Sequence, residues 1–274
     1  MAGRVSGGPL GCPCAGAHME DAWTYETAPE GETRFRSLEG RPYRRTVRHC
    51  RACAHHTSDP GFDPAALYAG GYMDDTYREG GIAAAFARVT SLPPGRSDNA
   101  GRVRRVVEFM RRDEERPTAL DVGSGLCVFL HGLAAHGWEC TALDPDPAAA
   151  AHATETVGVA AVAADFMEAD DLGRFDLVSL NKVIEHVADP VAMLARVAAH
   201  LTPGGFAYVE VPDAPAAAAE GPGREEFFIE HVHAFSPASL AMAAARAGLS
   251  PVRMERLHEP SGKWTIAAFL AVAP

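Results

Sequence analysis

A glycine turn placed between two carboxylates is the part of the chain whose residues could bind a cofactor. Apolar residues 119–122 are followed by Gly123-Ser124-Gly125, and apolar residues at helical spacing resume at Val128. This pattern predicts a buried strand, a tight turn and a helix whose first N–H groups face a ligand. Asp121 precedes the turn, where its carboxylate would repel a pyrophosphate but could hold an ammonium group. Asp144 follows a second predicted strand about 20 residues later, where nucleotide-binding folds hold a ribose diol.

Two closely spaced cysteine pairs near the start of the chain could bind a metal ion. Cys12 and Cys14 form one pair, and Cys50 and Cys53 form the other. Alternating residues at 33–36 and 43–47 predict a β-hairpin that holds the two cysteine turns apart. Four thiolates in this arrangement suit tetrahedral zinc, which would also stabilise so small and polar a unit. The alternatives are free thiols, or a site in which a histidine replaces one cysteine: His18, His49, His55 or His56.

Two Glu-His pairs could move a proton. Glu185-His186 follows a predicted strand at 175–180, and Glu230-His231 follows an Ala/Pro/Gly-rich segment, 214–223, that is predicted to be a mobile loop. An imidazole beside a carboxylate is a common general base near neutral pH. The first pair could instead form a turn before a predicted helix at 189–201. The second could cap a helix, or bind a metal together with His233.

The glycine turn resembles the first motif of the class I S-adenosylmethionine-dependent methyltransferases, an acidic-x-Gly-x-Gly sequence between a strand and a helix. The resemblance covers about residues 100–274. It implies that S-adenosylmethionine is the cofactor and that Asp121, Gly123 and Gly125 contact its methionine part. Asp144 would then hold the ribose, and Cys127 stands where the family has its last glycine.

Three further segments resemble later motifs of the same family. Asp165 and Phe166 follow the predicted third strand, 159–163, where the family places an acidic residue and an apolar residue beside the adenine. Residues 175–190, which include Asn181, resemble the fourth motif of enzymes that methylate small molecules, and this implies that His186 faces the substrate. Residues 201–205, Leu-Thr-Pro-Gly-Gly, resemble the turn that precedes the family's fifth strand.

The second Glu-His pair resembles a signature of the deoxysugar C-methyltransferases, in which Glu-His is followed by an aromatic residue and a serine. Here Glu230-His231 is followed by Phe235 and Ser236. Those enzymes also carry an N-terminal zinc unit. The resemblance implies that the pair lies at the substrate, where His231, supported by Glu230, would remove the substrate proton.

These motifs require an α/β fold to position them. We expect a Rossmann-like class I methyltransferase domain with helices on both faces of a mostly parallel seven-stranded sheet. Strand-like runs at 252–257 and 264–272 would close the sheet as an antiparallel hairpin. Helices are expected at 81–90, 100–115 and 237–247. The expected units are a zinc-ribbon-like unit at 1–60, a helical connector or lid at 61–99, and the methyltransferase domain at 100–274.

Composition narrows the function classes further. The formal net charge of −11 argues against a general polyanion binder, which needs clustered Lys and Arg. No apolar run is long enough to cross a bilayer and the first residues lack the apolar core of a signal peptide, so we expect a cytoplasmic enzyme with a small-molecule acceptor. Three alternatives remain: a ribosomal-RNA guanine methyltransferase with a zinc unit, an NAD-dependent oxidoreductase, and a non-catalytic zinc scaffold. The oxidoreductase is disfavoured by Val128 at the third glycine position and by Asp121.

Overall fold

The computed structural model describes residues 10–15, 18–59, 81–110 and 116–273. Residues 61–80 of the predicted connector therefore lie outside the described residues, as do residues 111–115 of the predicted second helix.

The N-terminal cysteine segments are joined by a small antiparallel sheet. Its first strands are β1 (Met19–Tyr25), β2 (Arg45–Cys50) and β3 (His56–Asp59), and β2 pairs with both neighbours. The predicted hairpin is therefore present, but the prediction that its first strand lies at 33–36 was wrong. Residues Arg36–Leu38 form a single 3-10 turn, and the first strand of the hairpin begins at Met19 instead.

The main sheet has seven strands in the described part of the chain. They are β4 (Thr118–Val122), β5 (Glu139–Asp144), β6 (Ala160–Ala163), β7 (Phe175–Asn181), β8 (Leu201–Pro212), β10 (Leu249–His258) and β11 (Trp264–Val272). Their order in the sheet is β10-β11-β8-β7-β4-β5-β6. The pairs from β8 to β6 are parallel, whereas β11 is antiparallel to both β8 and β10. The predicted Rossmann-like sheet with its closing hairpin is thus confirmed.

Helices cover both faces of this sheet. They are α1 (Gly81–Thr90), α2 (Asp98–Phe109), α3 (Val128–Ala134), α4 (Pro147–His152), α5 (Pro190–Ala199), α6 (Ala214–Glu220) and α7 (Pro237–Arg246). Helix α4 continues as a π-helical turn over Ala153–Val157. Adjacent residues of β4 belong to the cores on opposite faces of the sheet. Leu120 packs into one buried core and Ala119 into the other.

Helix α6 corrects the prediction of a mobile loop at 214–223. Asp213 caps the helix by accepting a hydrogen bond from the N–H of Ala216 at 3.2 Å, and Pro215 lies in its first turn. A run of alanines follows, and alanine has the highest helix propensity. The Asp-Ala-Pro-Ala sequence is therefore typical of a helix N-terminus.

One further strand joins the two parts of the chain. Strand β9 (His233–Ala234) is far along the sequence, yet it pairs with β3 as the fourth strand of the N-terminal sheet, in the order β1-β2-β3-β9. The antiparallel register places His56 opposite Ala234 and Thr57 opposite His233. The segment that follows the second Glu-His pair is therefore part of the cysteine-containing unit.

Candidate active site

The glycine turn and Asp144 meet at the carboxyl end of the parallel strands. The N–H of Gly125 donates to Asp144 Oδ2 at 2.9 Å, and the N–H of Asp146 donates to Oδ1 at 2.9 Å. Burial raises the pKa of Asp144, and the two backbone donors oppose that rise. Strand β5 thus places the Asp144 carboxylate next to the glycine turn after β4, as the spacing predicted.

Asp121 is held by the next strand in the sheet. Its Oδ1 accepts hydrogen bonds from Ser179 Oγ at 2.6 Å and from Asn181 Nδ2 at 2.9 Å. Burial raises the pKa of Asp121 to about 6, although the bond from Ser179 and the charge of Arg102 act in the opposite direction. The side chain is therefore ionised at pH 7 and fixed in orientation.

The turn leaves open space for a ligand at Gly125 and is closely packed at Gly123. Gly125 has φ +49°, and a Cβ atom there would meet nothing within 4 Å. Gly123 has φ +67°, and a Cβ atom there would lie 2.9 Å from Val183 Cγ2. Cys127 adopts a left-handed φ of +57° where the family has its last glycine, a conformation that costs a non-glycine residue energy.

Unpartnered polar atoms around the turn fit S-adenosylmethionine. Ser124 Oγ and Asn181 Oδ1 are buried and have no hydrogen-bond partner among the described residues. Together with Asp121 and Asp144 they supply acceptors for an ammonium group and for two ribose hydroxyls. The residues present therefore fit this cofactor.

Asp165 and Phe166 lie beyond β6, near the predicted adenine end. Asp165 is exposed, and its Oδ1 accepts a hydrogen bond from the N–H of Met167 at 2.8 Å. Phe166 is buried in the main core, with the Arg196 guanidinium 5.4 Å from its ring centroid. The structure gives this ring a packing role, and its contact with adenine stays a prediction.

The two Glu-His pairs, 45 residues apart in sequence, come together beside the end of β7. His186 and His231 have ring centroids 4.9 Å apart, and His186 Nδ1 lies 2.8 Å from the carbonyl oxygen of Glu230. One donor atom from each of Glu185, His186 and His231 can be chosen so that the three lie within 4.8 Å of one another. The structure therefore assembles the predicted substrate-facing residues in one place.

The protonation states of this cluster follow mainly from burial. Burial lowers the pKa of His186 to about 4 and places that of His231 well below its ordinary value. Both imidazoles are therefore neutral at pH 7. Burial raises the pKa of Glu230 to about 7, and the nearby charge of Glu32 adds to the rise.

The N-terminal unit supports this cluster through residues that sequence reasoning did not assign. Glu32 is buried, and its Oε1 accepts hydrogen bonds from Arg45 Nη2 at 3.0 Å and from the N–H of Ile229 at 2.8 Å. His55 Nε2 lies 3.0 Å from His233 Nδ1. From the sequence, His55 was considered only as an alternative zinc ligand and His233 only as an alternative metal ligand. No sequence pattern pairs residues so far apart.

The four N-terminal cysteines form a compact sulfur cluster. The Sγ atoms of Cys12 and Cys53 are 3.1 Å apart, those of Cys12 and Cys14 are 3.2 Å apart, and those of Cys14 and Cys50 are 3.6 Å apart. Zn–S bonds of about 2.3 Å separate tetrahedral ligands by slightly less than 4 Å, so the set fits one zinc ion after small adjustments. The nearby histidines are not part of this cluster of possible ligands.

The sheet order, the glycine turn and the strand-end carboxylates define the class I S-adenosylmethionine-dependent methyltransferases. The profile of a family described as a methyltransferase domain matches residues 96–253, and the chain belongs to this family. The chain is therefore an enzyme of the methyltransferase class. No helix of the described residues is both long enough and apolar enough to span a membrane.

Related proteins agree with this class. A segment of 99 residues is 37% identical to the ubiquinone biosynthesis O-methyltransferase of Caulobacter vibrioides and covers 34% of this chain and 39% of that protein. The match thus spans about two fifths of the length of this curated relative.

Solved structures share the fold at low sequence identity. The 1,6-didemethyltoxoflavin-N1-methyltransferase of Burkholderia thailandensis, solved with S-adenosylhomocysteine, has a TM-score of 0.57 and 20% identity over 84% of this chain and 96% of its own. An S-adenosylmethionine-dependent methyltransferase of Clostridium acetobutylicum has a TM-score of 0.53 and 11% identity over 73% of this chain and 100% of its own.

Proposed function

We propose that this enzyme transfers the methyl group of S-adenosylmethionine to a small molecule, specifically a sugar or another natural-product intermediate. The observation that carries the proposal is the meeting of both Glu-His pairs at the carboxyl end of β7, beside Asp121 and the glycine turn. Parallel sheets bind ligands at this edge. The Caulobacter relative is named for ubiquinone biosynthesis and the Burkholderia enzyme was solved with bound 1,6-didemethyltoxoflavin, both of which are small molecules. The net charge of −11 is unfavourable for RNA.

The chain would hold the cofactor along the strand ends. In this proposal Asp121 and Asn181 face the methionine amino group, the turn at Gly123 and Gly125 lines the middle, and Asp144 binds the ribose. Asp165 and Phe166 complete the adenine end. The cofactor supplies an electrophilic methyl group on a sulfonium, and a carbon, oxygen or nitrogen atom of the acceptor attacks it in line. Holding the two reactants at contact distance accounts for much of the rate.

The proton of the acceptor would pass to the second Glu-His pair. His231 is neutral at pH 7 and its Nδ1 is buried without a partner among the described residues, so it can accept a proton. Glu230 would stabilise the imidazolium that forms, and His186 would orient the acceptor from the other side. Side-chain oxygen Oε2 of Glu230 likewise lacks a partner within the described ranges.

The cysteine cluster is proposed to bind one structural zinc ion through Cys12, Cys14, Cys50 and Cys53. The ion would fix the turn that leads into β3 and so into the contact with β9. A reducing cytoplasm, where we propose that the enzyme works, keeps such thiols available for metal. The unit boundaries at 1–60, 61–99 and 100–274 remain part of this proposal.

Replacement of His231 by alanine tests the active-site assignment. We expect calorimetry to show unchanged S-adenosylhomocysteine binding, whereas S-adenosylhomocysteine formation with hydroxylated or sugar-nucleotide acceptors falls by about 100-fold or more. His136→Ala, at an exposed histidine outside the site, serves as the matched control. Unchanged turnover in H231A would remove His231 from the mechanism, and binding of NAD in preference to S-adenosylhomocysteine by the wild-type protein would overturn the proposed activity.

A further inference from the structure

A cavity lies between the N-terminal sheet and helix α6, apart from the candidate active site. Its volume is about 310 Å³, which is within the range of small-molecule binding sites. Three neighbouring strands each contribute a residue, because the register places Glu20 of β1 opposite His49 of β2, and His49 opposite His56 of β3. None of the described residues that line the cavity belongs to the glycine turn or to the two Glu-His pairs.

His56 carries a polar atom that the fold leaves without a partner. The residue is only 5% exposed, and its Nδ1 is buried with no hydrogen-bond partner among the described residues. Burial, and to a lesser extent the neighbouring His49, lowers the pKa of His56 to about 4, so the ring is neutral at pH 7. Buried polar atoms are normally hydrogen-bonded. A ligand in the cavity that His56 lines would supply the missing partner.

Trp23 is held in place at the wall of the cavity. Its Nε1 donates to Tyr25 OH at 2.7 Å, and its ring lies edge-on to Phe227 at a centroid distance of 5.0 Å. Because Nε1 is already bonded, the indole offers a ligand its apolar ring surface. Pro215 and Ala218 of α6 supply small apolar side chains to the same cavity. The walls therefore suit a ring-shaped ligand with an apolar face.

Two exposed carboxylates, Glu20 and Asp21, form the rim of the cavity. Arg51 Nη1 lies 3.7 Å from Glu20 Oε2, and Arg48 Nε lies 3.2 Å from Asp21 Oδ1. The arginines balance the charge of the rim, so the cavity does not require a positively charged ligand. Ionised carboxylates only accept hydrogen bonds, and each has more lone pairs than one arginine contact uses. The rim therefore suits an uncharged ligand with several hydrogen-bond donors.

We propose that this cavity binds an uncharged carbohydrate ring. A sugar ring has C–H surface that can pack on Trp23 and several hydroxyls that can donate to Glu20 and Asp21. A hydroxyl can also donate to His56 Nδ1 or accept from it, whichever tautomer the imidazole adopts. A nucleobase has fewer donors, and an ammonium group gains less from carboxylates that arginines already neutralise. The site goes beyond the methyl transfer proposed above and does not rest on it.

Saturation-transfer difference NMR on the full-length protein tests the site. The probes are the methyl glycosides of glucose, galactose, mannose and rhamnose, and saturating S-adenosylhomocysteine keeps them out of the cofactor site. We expect saturation transfer to at least one of these glycosides. No transfer to any of the four, or transfer to adenine or cytosine in their place, would overturn the proposal.

Two neighbouring alanines of α6 provide a matched pair of variants. Ala218 lines the cavity, whereas Ala219 is exposed and lies outside it. Ala218→Phe fills the cavity with a side chain and should abolish saturation transfer, and Ala219→Phe should leave it unchanged. Equal transfer in both variants would place the glycoside elsewhere on the protein and overturn the proposal.

A second pair of variants decides the question if circular dichroism shows that Ala218→Phe does not fold. Glu20→Gln removes the charge of one rim carboxylate and should raise the glycoside Kd by about tenfold. Glu26→Gln changes an exposed carboxylate of the same sheet that lies 3.5 Å from Arg44, and it should bind as the wild type does. Equal Kd values in these two variants would contradict the site. The proposed methyl transfer is tested separately by S-adenosylhomocysteine binding and turnover, so it stands or fails independently of glycoside binding.

Discussion

His55 Nε2 lies 3.0 Å from His233 Nδ1, and the other ring nitrogen of His55 lies 3.1 Å from Ser239 Oγ. These contacts connect the loop after the second cysteine pair to strand β9 through His233 and to helix α7 through Ser239. The carbonyl of Cys53 also accepts a hydrogen bond from Ser236. His55 lies two residues after Cys53 and His233 lies two residues after His231, so these contacts link the cysteine cluster to the proposed acceptor side of the active site.

Loss of one cysteine ligand should release zinc and impair turnover more than cofactor binding. We expect one zinc ion per chain in the wild-type protein by plasma mass spectrometry and less than half of that in Cys50→Ser. Turnover should fall because the β3 edge that supports β9 is no longer fixed, while the glycine turn is untouched. Cys140→Ser, at a buried cysteine outside the cluster, should retain its zinc. Full zinc content in C50S would contradict the four-cysteine site.

Neutralising Asp144 should weaken cofactor binding. Hydrogen bonds to a charged group contribute about 1.5–3 kcal/mol, so we expect Asp144→Asn to raise the S-adenosylhomocysteine Kd by about 10- to 100-fold in calorimetry. Asp146→Asn is the matched control because an asparagine preserves its cap on Ala148, where Asp146 Oδ1 accepts at 2.9 Å. Equal Kd values for wild type and D144N would remove Asp144 from the cofactor site.

Cofactor affinity should decrease in acid with the titration of Asp121. Burial raises the pKa of this carboxyl to about 6, so it is ionised at pH 8 and protonated at pH 5. Only the ionised form attracts an ammonium group, and the affinity for S-adenosylhomocysteine should therefore decline below pH 6, with a limit of about tenfold per pH unit. Asp121→Asn should bind weakly with a flatter pH profile. A decline of equal steepness in D121N would assign the effect to another group.

The buried ion cluster behind the site should contribute to stability. Glu210 is fully buried and accepts from Arg102 Nη2 at 2.6 Å, Arg105 Nη2 at 2.8 Å and Tyr208 OH at 2.6 Å. Glu210→Ala leaves two guanidinium groups without this partner, and we expect it to lower the free energy of unfolding by about 3–5 kcal/mol. Glu255→Ala, which removes a surface partner of Arg253, should change it by at most about 1 kcal/mol. Urea titration measures the free energy of unfolding of both variants. Similar decreases in Glu210→Ala and Glu255→Ala would mean that the buried cluster stabilises the fold no more than a surface ion pair does.

The parallel sheet and its strand ends could be predicted because each depends on local sequence. The glycine turn, Asp121 and Asp144 are fixed by spacing within one strand-turn-helix unit and the next strand. The closing hairpin was predicted from two strand-like runs, at 252–257 and 264–272. The Ala214–Glu220 helix was missed because small residues were interpreted as loop composition, although the cap at Asp213 was present.

The proposed acceptor side of the site could not be predicted in the same way. Its geometry depends on pairing between β3 and β9, and on the ion pair between Arg45 and Glu32, whose atoms are 3.0 Å apart. Such contacts join residues separated by many positions, and single-sequence patterns carry no distance information across them. The placement of Glu185 has the same origin, because its carbonyl oxygen accepts hydrogen bonds from the N–H groups of Val232 and His233.

The position of β9 in the N-terminal sheet has a consequence for biosynthesis. Residues 10–59 leave the ribosome long before His233 and Ala234, so the fourth strand of their sheet is still missing when they emerge. More than 170 further residues are translated before β9 can pair with the edge strand β3 of this segment. The four-stranded sheet of the cysteine unit is therefore complete only after the segment that contains Glu230 and His231 has been translated.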